Sequence, residues 1–386
     1  MLSLRTSGGV AALLLACTAF ACPDGASSRP AAGSVAADSI ATPAGSASPS
    51  DTARADSAAA AANAAADSTG IAPVNVPPDS LRYESVPGKA AGDSARSGVA
   101  GADSAAPKVA AKPLTPPWPA PPTPLPGALL PANRIVAYYG NPLSKRMGIL
   151  GQIPPDQMMA KLEKTAAEWQ AADSTKPVLP ALHLIATVAQ GKPGKDGLYR
   201  LRMSDSIIER VAGWAEQKGW LLFLDIQPSH STVEAELPRL LDYLKRPYVH
   251  LALDPEFAMT GRGDGALPGK KIGTLDAREI NWAIDTVAKL VTAYNLPPKV
   301  LVIHRFTERM ITNHDKIRRD PRVQVVIDMD GFGPPSLKKS TWRYVVIREP
   351  VQYTGVKLFY KNDKPLLSPV KTLETFKPEP VYIQYQ

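Results

Sequence analysis

The chain has 386 residues, a formal net charge of +8, a sequence pI near 9.3, 39 prolines and two cysteines. Eight of its 44 Lys/Arg and nine of its 36 Asp/Glu precede residue 131, so the positive excess lies wholly in the remainder, which suits an anionic partner. No Lys/Arg run or motif suits nucleic acid, and a disulfide-stapled fold is excluded because both cysteines, Cys17 and Cys22, lie at the extreme N-terminus.

The opening MLSLRTSGGVAALLLACTAFAC (residues 1–22) reads as an export signal. Arg5 precedes an apolar run from Val10 to Ala16, too short for a membrane span. Two processing outcomes fit. Leu14-Leu15-Ala16-Cys17 resembles a bacterial lipobox, which would lipidate Cys17 and anchor the protein at the cell envelope. Ala19-Phe20-Ala21 resembles an ordinary cleavage site, which would release a secreted protein beginning at Cys22. The lipoprotein is the favoured reading.

Residues 23–130 are rich in Ala, Ser, Pro and Asp, with scarcely an aromatic residue before Tyr83 and Trp118. Such a segment buries too little apolar area to offset its ordering entropy. It is expected to be a long disordered linker, stiffened toward polyproline in KPLTPPWPAPPTPLPGALLP.

From residue 131 to residue 386 the pattern is that of one folded domain. Eight short apolar runs read as buried strands: 134–140, 178–189, 220–227, 249–256, 299–306, 322–330, 355–363 and 380–386. Amphipathic stretches between them read as helices: 154–172, 204–219, 231–244 behind a Ser231–Glu234 capping box, and another opened by Asp276 and Glu279. Helices near 307–317, 335–347 and 366–376 have weaker periodicity, and WRYVVI within 335–347 also reads as a strand. Eight strands with a helix after each of the first seven predict an α/β fold, the (β/α)8 TIM-type barrel. A doubly wound open sheet is the alternative, but no Gly-rich turn follows strand one. Segment 118–132 is expected to cover the barrel bottom.

In such barrels the chemistry lies at the C-terminal strand ends, and polar residues concentrate there. Asp254 and Glu256 close strand four, with Asp225 on strand three and Asp328 on strand six. Carboxylates held together push their pKa values apart, so that one donates a proton while another stays ionised. Glu256, helped by Asp254, is the expected acid, and Asp225 or Asp328 the ionised partner. Candidate substrate contacts are Tyr138, Asn141, His183, Gln227, His304, Asp330, Tyr360, Tyr382 and Gln384. His250, early in its strand, reads as a core histidine. The loop GRGDGALPGKKIG lacks the spacing of a phosphate loop and reads as a lid.

The D-x-E that ends strand four resembles the secreted glycoside-hydrolase barrels, including family-18 chitinases and family-25 muramidases. Of the family-18 pattern D-x-x-D-x-D-x-E, Asp254 and Glu256 match the last two positions, and Val249 and Ala252 occupy the first two. The resemblance implies a polysaccharide or cell-wall glycan as substrate and carboxylate general acid/base catalysis without a cofactor. A metal-dependent hydrolase using Asp254, Glu256, His304 and Asp328 is a second reading, although no H-x-H or H-E-x-x-H spacing supports it, and no metal is assigned. A non-catalytic barrel binding a glycan or a protein is the third. The chain is expected to be monomeric.

Overall fold

A computed structural model describes residues 118–386 except residue 264. The expected export signal, Cys17, Cys22 and nearly all of the expected linker lie outside the described residues, as does residue 264 of the GRGDGALPGKKIG loop. Among the described residues, no helix is long and apolar enough to cross a membrane.

Eight parallel strands close into a barrel. They are β1 (Arg134–Gly140), β2 (Val178–Ala189), β3 (Leu221–Ile226) and β4 (Val249–Leu253), then β5 (Lys299–Arg305), β6 (Val323–Met329), β7 (Tyr353–Leu358) and β8 (Tyr382–Tyr385). Each neighbours the next, and β1 closes the ring by pairing with both β2 and β8. The near-continuous apolar runs follow from this arrangement, since one face packs on helices and the other fills the barrel. A short strand, Arg200–Arg202, adds antiparallel to the end of β2.

The helices are α1 (Pro155–Ala172), α2 (Asp205–Lys218), α3 (Ala277–Ala293), α4 (Pro335–Trp342) and α5 (Pro369–Thr375). Proline at the first turn starts α1, α4 and α5, where a missing N–H costs nothing. The Asp276–Glu279 capping box opens α3 as expected. In α1, Met158, Leu162, Ala166 and Trp169 recur on one buried face. Segment 335–347 is helical throughout, α4 continuing as a π-turn through Ile347, so WRYVVI is not a strand.

Two helical expectations are corrected. Residues 231–244 form two single-turn helices joined by a 3-10 turn, because Pro238 interrupts the hydrogen-bond ladder. The cap there is Thr232, whose side chain accepts from the Ala235 N–H. No α-helix follows β5. Residues 308–310 and 314–316 are 3-10 turns, and Asn313 between them is left-handed at φ 54°. The Asp276 carboxylate holds this loop, accepting from Thr312 at 2.7 Å and Asn313 at 2.5 Å. The β-branched pair Ile311–Thr312 pairs with Leu275–Asp276 instead of continuing a helix.

The bottom of the barrel is apolar and sealed. Ile135, Ala137, Ala181, Phe223, Val300 and Val302 fill it. Leu130 plugs it from the 118–132 segment, its backbone N–H and C=O both bonded to the Gln324 amide. Lys299, buried at the start of β5, donates to the carbonyls of Arg246, Pro247 and Val249.

One charged cluster outside the barrel fixes the segment beside its mouth. Buried Glu236 accepts from Arg200 at 2.8 Å, Arg202 at 2.7 Å and Ser231 at 2.6 Å. Burial opposes its charge, but the hydrogen bonds from Arg202, Ser231 and Arg200 outweigh it and hold its carboxyl below the ordinary glutamate value. A depressed carboxyl contributes stability above its unfolded pKa, and this is lost as pH falls through the folded one. Glu236→Gln is therefore expected to cost about 3–5 kcal/mol at pH 7. Its deficit against the parent should shrink below pH 4.5, read from urea midpoints at both pH values. A deficit under about 1 kcal/mol would show the cluster to be an ordinary surface network.

Candidate active site

Above the apolar layers, the barrel interior changes character. Register partners point the same way in a parallel sheet, so His304 on β5 lies beside Asp328 on β6, and Lys357 on β7 beside Gln384 on β8. His183, Asp225, His304, Asp328 and Gln384 are all fully buried. Gly355, the register partner of Asp328 on β7, makes room for it: a Cβ there would sit 2.8 Å from the Asp328 Oδ1. A second tier holds Tyr139, Gln227, Asp254, Glu256, Asp330 and Lys357, each at most 7 % exposed.

The inner tier is a chain of rings and carboxylates. His183 Nδ1 lies 2.6 Å from the Tyr382 hydroxyl and 2.9 Å from the Gln384 amide nitrogen. Its Nε2 faces Asp225 Oδ2 at 3.7 Å, and His304 Nε2 faces the same oxygen at 3.6 Å. The other His304 nitrogen is 3.4 Å from both Asp328 Oδ2 and Asp330 Oδ2. His183, Asp225 and His304 offer three possible metal-ligand atoms within 4.8 Å of one another.

In the outer tier the Gln227 amide donates to Asp254 Oδ2 and to the Tyr139 hydroxyl, both at 3.2 Å. Its oxygen accepts from the Ala189 N–H at 3.0 Å. The Lys357 ammonium sits 3.7 Å from the centre of the Tyr139 ring, a cation–π contact.

These surroundings sort the acids. Burial pushes the Asp254 carboxyl up to about 7, with Asp225 and Asp330 adding to the rise against the pull of His304. Burial also opposes the charge of Asp225, but His183 and His304 outweigh it and keep its carboxyl below the usual range. Burial raises Asp328 against the pull of His304. Burial lowers His183 to about 4, so it is neutral at pH 7 despite its facing carboxylate. His304 is the reverse. Burial disfavours its charge, yet Asp225, Asp328 and Asp330 hold it well above the ordinary value.

The barrel thus brings Asp225, Asp254, Glu256 and Asp328 to one end, with His183, Gln227, His304, Asp330, Tyr382 and Gln384. Glu256 is not a strand residue, however. The strand stops at Leu253, Asp254 caps a 3-10 turn beginning at Pro255, and the Asp254 carboxylate accepts the Glu256 N–H at 3.2 Å. Its position owes nothing to strand alternation, because proline redirects the chain between the two acids.

Tyr138, Tyr360 and Asn141 are corrected, because none of them faces the barrel interior. The Tyr138 hydroxyl is 2.7 Å from Thr165 on α1 and 2.9 Å from Tyr360. Both rings pack against Tyr385, and the Lys161 ammonium on α1 sits 4.2 Å from the centre of the Tyr360 ring. Asn141 shapes a turn, donating to the Ile185 carbonyl and accepting the Leu143 N–H. Tyr139 and Lys357 are the inward residues that sequence reading missed. Register could have found Tyr139: it lies two residues beyond Ala137, the partner of inward-facing Gln384. His250 is the expected core histidine, its Nδ1 accepting the Val300 N–H. Part of the 261–273 loop folds down near the mouth, where Ala266 is buried and its carbonyl lies 2.8 Å from His230 Nε2.

The chain matches no known protein-family model and no curated protein.

Proposed function

We propose that the barrel is a hydrolase acting on an envelope or environmental polysaccharide, with Asp254 as the proton donor and Asp225 as the ionised partner. One observation carries the reading. In a single buried centre, burial pushes the Asp254 carboxyl up to about 7, so that it still carries a proton in part of the chain near neutrality, while His183 and His304 hold Asp225 below the usual range. Glycosidic cleavage needs that division of labour, since the leaving oxygen takes a proton while negative charge supports the oxocarbenium-like transition state. The D-x-E pattern favours Glu256 as the acid. Full burial and the neighbouring Asp225 and Asp330 charges give Asp254 the stronger physical case. The positive balance of the folded part suits an anionic wall polymer.

The test is reducing-sugar release by the full chain from a panel of polysaccharides that includes peptidoglycan. Release from at least one of them is expected. Silence on all of them would favour a barrel that binds without turnover.

The same reading tethers the barrel at the envelope through lipidated Cys17. Cys17→Ala is expected to move the protein from the membrane to the soluble fraction of its host. An unchanged distribution would point to cleavage before Cys22 or to another anchor.

A further inference from the structure

The inner tier contains more unpartnered polar atoms than a finished hydrogen-bond network leaves. His183 Nε2, both Asp225 oxygens and both His304 ring nitrogens are buried without a hydrogen-bond partner. Buried polar groups are satisfied in the great majority of proteins, so a cluster of orphans aimed at one another marks a missing occupant.

The separations say what kind. At 3.6 and 3.7 Å, the two Nε2–Oδ2 distances exceed any hydrogen bond. They are too short for a bridging water, whose tetrahedral partners at hydrogen-bond distance would stand about 4.6 Å apart. Ligands at about 2.1 Å from one tetrahedral ion stand about 3.4 Å apart, close to the two Nε2–Oδ2 separations. The charge balance agrees. Asp225, Asp254, Asp328 and Asp330 converge here, and among the described residues of the two tiers the Lys/Arg cation is Lys357.

We propose that His183 Nε2, Asp225 Oδ2 and His304 Nε2 form a site for one divalent transition-metal ion of the zinc class. Two imidazoles and one carboxylate favour such an ion over magnesium or calcium, which take oxygen ligands. Three protein ligands leave a coordination position for water or substrate. The remaining nitrogens are held as metal-binding histidines are. His304 keeps its Nδ1–H toward Asp328 and Asp330, and an ion binding at Nε2 displaces the second ring proton. His183 Nδ1, carrying the proton, donates to the Tyr382 hydroxyl, which leaves Nε2 its lone pair. Turning the Gln384 amide end for end then lets its oxygen, otherwise unpartnered, accept from Tyr382.

This inference stands on the geometry and goes beyond the hydrolase reading. The test uses the full chain, stripped with a chelator and titrated calorimetrically with Zn2+, then with Co2+ followed by visible absorption. One ion per chain is expected, with cobalt bands of nitrogen and oxygen ligation and no thiolate charge-transfer band. Asp225→Asn and His183→Gln should each weaken binding by about 100-fold. Absence of binding, binding unchanged in both variants, or a thiolate band assigning the ion to Cys17 and Cys22 would overturn the site. If the variants do not fold, the parent's stoichiometry and cobalt spectrum still decide. Metal binding without glycan hydrolysis would keep this site and remove the hydrolase reading. Hydrolysis by a chain that binds no metal would do the opposite.

Discussion

Asp254→Asn is expected to lower kcat by about 10²–10⁴-fold, the usual worth of a general acid, while KM changes little. The amide keeps the shape of the carboxyl and can still accept the Glu256 N–H. It cannot supply an acid proton. The parent should also lose activity as pH rises through about 7, because the donor is then deprotonated. Glu256→Gln is the companion measurement. If it costs as much as Asp254→Asn and the alkaline limb persists, the acid is Glu256 and Asp254 assists. If Asp254→Asn leaves kcat within a few-fold of the parent, the assignment is wrong.

A stability effect as large as that at Glu236 is expected at His304. Its ring lies between Asp225 on β3 and Asp328 and Asp330 on β6. His183, Asp254 and Lys357 share the same end of the barrel, and only Lys357 adds positive charge. In the metal-free chain, His304→Gln would leave three facing carboxylates with Lys357 alone against them. Breaking a buried charge cluster by removing one partner costs about 3–5 kcal/mol. The sign with pH follows from linkage. His304, raised in the fold, contributes stability that is fully present below its ordinary value of 6.5 and lost as pH rises through the folded one, so the deficit is greatest at the acid end of the range and shrinks toward pH 8. Urea midpoints for parent and variant between pH 8 and pH 5 measure it. A deficit that is small and flat with pH would mean that the carboxylates are already neutral or held by another cation.

The eight strands were legible because a barrel strand is buried on both faces and leaves an apolar run that needs no contact information. Which side chains enter the barrel was less legible, because it depends on a parity of one residue. Tyr138 and Tyr139 are adjacent and chemically alike, and only the pairing of β1 with β8 turns Tyr139 inward. Tyr360 lies beyond the end of β7 and turns back to Tyr138, an alternative that an extended strand through 363 conceals. The acids on β3 and β6 were found because charge at the end of an apolar strand is costly unless used. The meeting of His183, Asp225 and His304 was not legible. It joins β2, β3 and β5 across the barrel, and no local spacing records it. The missing helix after β5 had a readable signal in Ile311, Thr312 and Asn313, which disfavour a helix interior.

The most direct test of a hydrolytic centre at the barrel mouth is glycan cleavage by the full chain beside its Asp254→Asn variant. The account predicts product from the parent and release slower by about 10²–10⁴-fold from the variant at equal folded concentration. Equal product from parent and variant would contradict it, because the chemistry would then lie elsewhere in the chain.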